Sequence, residues 1–212
     1  MHSTPRPHRH EKSTIWTYVP LTLVTICTVV IVFSALSALN VPVSYYQQQV
    51  VAEYQAAALL VPLPERLVIP SLDIDAAVQY VGLTADGSGE MAVPSNFVDV
   101  GWYEYGVRPG MGGSAVIAGH VSGREIAEAV FYDLHTLVVG DEITIIRTDQ
   151  VQVIFRVVKV KTYAYNAPTN EVFVSTDGKT RLNLITCSGT WLSDKNRFDT
   201  RTVVFTELVE ES

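Results

Sequence analysis

Cysteine is almost missing from this chain: 212 residues hold two, Cys27 and Cys187, so at most one disulfide could form and a disulfide-stapled scaffold is excluded. Charge is also sparse, 17% of residues against 48% apolar, which excludes a disordered protein and leaves enough chain for one real core. No cluster of bases occurs outside the N-terminus. Setting aside Arg6, Arg9, Lys12 and Glu11 leaves 12 Lys and Arg against 21 Asp and Glu, so nucleic acid is not expected as a partner. Metal-ligand spacings of the H-x-x-H or C-x-x-C kind are lacking as well, and neither a metal nor another cofactor is expected. Long helical patterns are wanting after residue 65, which argues against an α/β layout.

What is present begins with Ile15 to Leu39, 25 residues without a charge, against the roughly 20 needed to cross a bilayer as a helix. That length exceeds the apolar part of an ordinary cleaved signal, and Pro20 near the start and the scattered Thr and Ser are tolerated in a spanning helix. Arg6, Arg9 and Lys12 precede the span, and no base follows it before Arg66. The positive-inside rule predicts a cell-membrane protein with residues 1–14 as a cytoplasmic tail, 15–39 as a single signal anchor, 40–64 as an extracellular spacer and 65–212 as an extracellular domain. This topology discards candidates: Cys27 falls in the bilayer, and His2, His8 and His10 on its inner side. Cys187, His120 and His135 remain.

The outer domain reads as all-β. Eight short β-rich runs stand between turn signals: LVIPSLDI, AAVQYVGL, SAVIAGH, EITIIR, QVQVIFRVVKVKTYAY, EVFVST, RLNLITC and TVVFTELV. Such a series predicts a closed barrel or a sandwich. Thr148-Asp149-Gln150 predicts a tight hairpin, and Ala127 to Leu137 the one helical turn of the domain.

Cys187 ends RLNLITC before Ser188-Gly189, where a turn is expected; a sulfur held at the open end of a strand suits a nucleophile. His120 ends SAVIAGH, and Arg201 opens the last apolar run. Taken singly, each residue type has a commoner structural role as a buried hydrophobe, a satisfied polar group or a solvated charge. Three such groups at three strand ends, converging on one rim, favour a cysteine-based active site.

LITC at 184–187, AGH at 118–120 and an arginine before the last strand resemble the signature of the sortases, membrane-anchored cysteine transpeptidases. VIPSLDIDAAV, VGWYEYGVRPG, AVFYDLHTLVVGD and TCSGTW extend the resemblance over about residues 66–209. The N-terminal anchor and the GWY segment resemble class F or the neighbouring D and E classes more than the pilus-building class C. The resemblance implies a closed eight-stranded β-barrel with short helical turns, preceded by one transmembrane helix. It implies Cys187 as nucleophile, His120 as acid and base and Arg201 as oxyanion donor, with the amide of Ser188 as a second donor. The implied partners are secreted proteins bearing a C-terminal LPXTG-like sorting signal, and an amine acceptor such as a cell-wall precursor or a pilin lysine. The loop Tyr163 to Asp177, with Pro168, resembles the loop that covers the signal, and Trp191 is placed as a lid or as packing. Arg197 competes with Arg201 for the catalytic role but falls in the polar stretch DKNRFD. Asn183 departs from the family, which has threonine there, and is expected on the strand face away from the nucleophile. Enzyme alternatives are a thiol peptidase using water; outside the enzymes, an inactive binding module of the same fold.

Overall fold

The computed structural model describes residues 48–53, 56, 60–123 and 126–211. The expected tail, the span 15–39 and parts of the spacer lie outside them, as do Cys27, His2, His8 and His10. No helix among the described residues is long and apolar enough to cross a membrane. The chain divides into two compact units, Met1–Glu53 and Tyr54–Ser212. Residues 48–53 of the first are helical. The second is the β domain.

Eight strands build it: β1 (Pro64–Ile69), β2 (Ile74–Val81), β3 (Val100–Tyr103), β4 (Gly113–Ala118), β5 (Glu142–Arg147), β6 (Gln152–Ala164), β7 (Thr180–Leu192) and β8 (Arg197–Glu211). They close into a barrel in the order β1-β2-β3-β4-β7-β8-β6-β5, with β5 pairing back on β1. Closure leaves no open sheet edge. Two neighbouring pairs, β2·β3 and β4·β7, are parallel, and the rest are antiparallel.

Period-two alternation decides what faces inward. Ile143 and Ile145 of β5, Val153, Phe155 and Val157 of β6, and Leu182 and Leu184 of β7 all enter one core. Along 131–137 the burial repeats every third residue, Phe131, Leu134 and Leu137, as the three-residue period of the 3-10 turn Leu134–Thr136 requires. The segment is therefore part of the core, and only its outer face, with the exposed His135, is peripheral.

The expected hairpin forms between β5 and β6, with Gln150 taking the positive φ of 67° and its amide donating to the Arg147 carbonyl. The strand count of eight is right for partly wrong reasons. EVFVST is not a strand: Asn170–Phe173 is a short helix whose Val172 and Phe173 amides donate to the Thr169 carbonyl. VGWY is a strand, held between β2 and β4 although it has four residues and a glycine. Pro70–Leu72 adds a 3-10 turn inside the run LVIPSLDI, so 127–137 is not the one helical turn of the domain.

Candidate active site

β7 and β8 form a long hairpin whose register sets Cys187 directly across from Arg201. Directly opposed residues of an antiparallel pair project from the same face. Cys187 is not at a strand end as the sequence suggested. The strand passes through a bulge between Ser188 and Trp191 and continues to Leu192. Gly189 makes this possible, with φ at 83° and so little room that a Cβ would lie 2.2 Å from Asp199 Oδ1. Asp199 Oδ1 in turn accepts the Thr190 amide at 2.8 Å. β8 starts at Arg197, so that residue lies on the hairpin and not in a loop.

His120 follows β4, which runs parallel to β7 with Ala118 opposite Ile185. The Gly119 amide donates to the Ile185 carbonyl at 3.1 Å, and Thr186 Oγ1 donates to the Gly119 carbonyl at 2.8 Å. These two bonds hold the backbone of His120 beside Thr186 and Cys187. Gly119 is required by close packing, since a Cβ there would meet the buried Phe131 ring at 2.4 Å. The His120 ring lies 4.9 Å from that of Phe97, and its Nε2 is 2.9 Å from the Pro94 carbonyl oxygen. A carbonyl only accepts, so Nε2 carries the proton and Nδ1 is the basic nitrogen of the neutral ring.

Cys187, His120 and Arg201 line one groove of about 860 Å³. Burial pushes the Cys187 thiol above its ordinary pKa; the Arg201 charge pulls it down, and Glu90 adds to the rise. Burial thus favours the neutral thiol, and Arg201 is the cation that favours the thiolate.

The loop between β6 and β7 forms the groove's other wall through residues such as Tyr165, Ala167, Thr169 and Phe173. Pro168 is in this loop, exposed, between two lining neighbours. Trp191 also lines the groove and packs edge-on against Phe198 at 5.2 Å, half of its surface open. Ser188 is engaged in the hairpin, where its hydroxyl lies 3.1 Å from that of Thr200. Asn183 shares a face with Ile185 and Cys187 rather than facing away, because residues four apart in a strand project alike. It is fully buried, and its Nδ2 donates to the Val172 carbonyl at 2.6 Å, fastening the short helix to β7. Glu171 of that helix reaches Lys159, Lys161 and Tyr163 of β6, which hold its carboxyl down at about 2.

Two groove residues escaped the sequence reading. Glu90 Oε2 accepts a bond from Arg201 Nη2 at 3.2 Å, and Tyr165 Oη donates to the same carboxylate at 2.6 Å. Tyr165 also has both guanidinium groups against its ring, Arg197 at 3.7 Å and Arg201 at 4.3 Å from the centroid. No local signal marks Glu90, whose cationic partner is 111 residues away in sequence.

A barrel with a cysteine and an arginine paired across two strands, and a histidine beside them, defines a cysteine-centred β-barrel site. The sortase domain family model matches residues 67–209, and the chain belongs to the sortase family. Solved structures similar to it include a complex of Streptococcus agalactiae sortase C1 with MTSET, at 22% identity and a TM-score of 0.52 over 68% of this chain and 66% of that one. Sortase C from Clostridium perfringens SM101 gives 21% and 0.51, over 70% of both chains. A lid mutant of sortase A from Corynebacterium diphtheriae gives 19% and 0.54, over 70% of this chain and 71% of that one. At such identities the likeness is one of fold. The chain spans about two thirds of the length of the sortase C1 structure. Comparison with curated protein sequences gives no match.

Proposed function

We propose that the protein is a cysteine transpeptidase that cleaves an LPXTG-like sorting signal after its threonine and joins the acyl group to an amine. The cross-strand pairing of Cys187 with Arg201, with His120 just past the end of the neighbouring strand β4, carries this reading. The Cys187 thiol gives its proton to His120, and the thiolate attacks the threonine carbonyl carbon, forming a C–S bond, while the charge that develops on oxygen falls to Arg201. The C–N bond then breaks, and protonated His120 gives its proton to the departing amine. In the second half an incoming amine loses a proton to His120 and attacks the thioester, so that a C–N bond forms and the thiolate leaves. Peptide-bond energy is thereby kept in the thioester until the acceptor arrives.

Its substrates in this reading are secreted proteins with a C-terminal sorting signal. Its acceptors are amines such as a cell-wall precursor or a pilin lysine, and the result is anchoring of surface proteins. Residues 15–39 would hold the enzyme in the cell membrane with the N-terminus cytoplasmic and the barrel outside. The supporting features are the uncharged run and the bases that precede it. Incubating the protein with an LPXTG-like peptide and a primary amine tests the activity: an amine-linked product ending at threonine is expected, and its absence together with the absence of cleavage overturns the reading.

A further inference from the structure

We propose that Tyr165 is a positioning residue that holds Arg201 in its working orientation beside Cys187, with Glu90 as the anchor of the assembly. The inference rests on the reading of Arg201 as the oxyanion donor. Arg201 is a long side chain on a strand, a quarter exposed at its side chain, and register alone fixes its Cα but not its guanidinium. Arginine loses several rotatable bonds' worth of freedom when it is held in one geometry.

Two contacts remove that freedom. The ring of Tyr165 supports the guanidinium at 4.3 Å, an attraction between a cation and the electron-rich ring face. Glu90 takes Nη2 at 3.2 Å. The two supports are themselves joined, because Tyr165 Oη lies 2.6 and 2.9 Å from the two Glu90 oxygens. The backbone of Tyr165 is fixed to the same hairpin, its amide donating to the Asp199 carbonyl at 2.9 Å. A ring on the β6–β7 loop, a carboxylate on the β2–β3 loop and a guanidinium on β8 thus close a triangle next to the nucleophile. Arg197 leans on the same ring at 3.7 Å, which makes it a further weight on Tyr165. The charges that bear on the thiol are Arg201 from β8 and Glu90 from the β2–β3 loop, and His120, after β4, lines the same groove.

The test is a double-mutant cycle read in two ways. With a fluorogenic LPXTG-like peptide and saturating glycinamide, Tyr165→Leu is expected to lower kcat roughly 10- to 100-fold with little change in KM, as loss of alignment does. Tyr165→Phe, which keeps the ring and drops the bond to Glu90, is expected to lose less. In an Arg201→Ala background the Tyr165→Leu change is expected to add less than about threefold, because residues acting through one another are not additive. An Arg197→Ala background is expected to leave the Tyr165 effect whole. Equal losses with and without Arg201, or a defect confined to KM, would overturn the proposal. The second readout needs no peptide: the pH at which chloroacetamide alkylates Cys187 at half its maximal rate. Tyr165→Leu is expected to move it upward, and not to move it once Arg201 is Ala; no upward shift overturns the positioning role. If the wild type processes no LPXTG-like peptide, the functional reading fails while the alkylation cycle still decides this one. Should Tyr165→Leu fail to fold, Tyr165→Phe, which still drops the Glu90 bond, carries the cycle with a smaller expected loss that again vanishes once Arg201 is Ala.

Discussion

Cys187 and Arg201 occupy directly opposed positions on β7 and β8, four residues along β8 from Arg197, which opposes Leu192. That spacing separates the two arginines chemically. Arg201→Lys keeps the charge but not the planar array of donors. It is expected to lose roughly 2.7 to 4 kcal/mol of transition-state stabilisation, or about 100- to 1000-fold in kcat. Arg197→Ala is expected to cost far less and to appear mainly in KM. Steady-state kinetics of both variants on one LPXTG-like peptide checks this, and a dead Arg197→Ala beside a healthy Arg201→Lys would reverse the roles.

His120→Ala is expected to lower turnover by roughly 100- to 10,000-fold, the usual worth of a positioned acid and base. His135→Ala is expected to do little. The His135 ring is exposed, and its Nδ1 lies 3.3 Å from the Tyr132 carbonyl oxygen on the outer side of the 3-10 turn. Comparable losses for both would displace the base from His120.

The thiol makes a prediction that any alkylating agent can read. Burial raises the Cys187 pKa and Arg201 lowers it, so the wild-type alkylation midpoint should lie above that of a free cysteine, and Arg201→Ala should push it higher still. A thiol whose folded pKa exceeds its unfolded value binds its proton more tightly when folded, so its contribution is complete below the unfolded pKa and is lost as pH rises through the folded one. A midpoint that falls on removal of Arg201 would contradict the geometry.

The placing of Cys187, His120 and Arg201 along one groove was legible in the sequence because each ends or precedes an apolar alternating run. SAVIAGH, RLNLITC and TVVFTEL announce strands, and the motifs they end or open with resemble one family. What escaped depended on long-range pairing. The continuation of β7 past Cys187 needed the bulge at Gly189 and its contact with Asp199, and nothing in TCSGTW alone distinguishes a bulge from a turn. EVFVST alternates like a strand, yet its first three residues belong to the short helix Asn170–Phe173, which Asn183 on β7 fastens through the Val172 carbonyl. Glu90 and Tyr165 carry their meaning only through contact with Arg201.

Asn183→Ala tests how that wall is fastened. It leaves the Val172 carbonyl without its buried donor, a loss of roughly 1 to 3 kcal/mol offset in part because Asn183 Oδ1 is itself unpartnered. A lower urea midpoint and a raised peptide KM are expected, with kcat at saturation changed least. An unchanged KM would mean that the β6–β7 wall does not depend on this bond.

The central claim is that Cys187 forms a covalent acyl intermediate that an amine resolves. Intact-protein mass spectrometry of the wild type mixed with an LPXTG-like peptide, before and after addition of a primary amine, reads it directly. An adduct with the mass of the peptide acylated through its threonine is expected on Cys187. It should discharge to an amine-linked product when the amine is added, and be absent from Cys187→Ala, which is expected to remain folded. Cleavage of the peptide at an undiminished rate by Cys187→Ala, or a wild type that neither forms the adduct nor yields the amine-linked product, would contradict it.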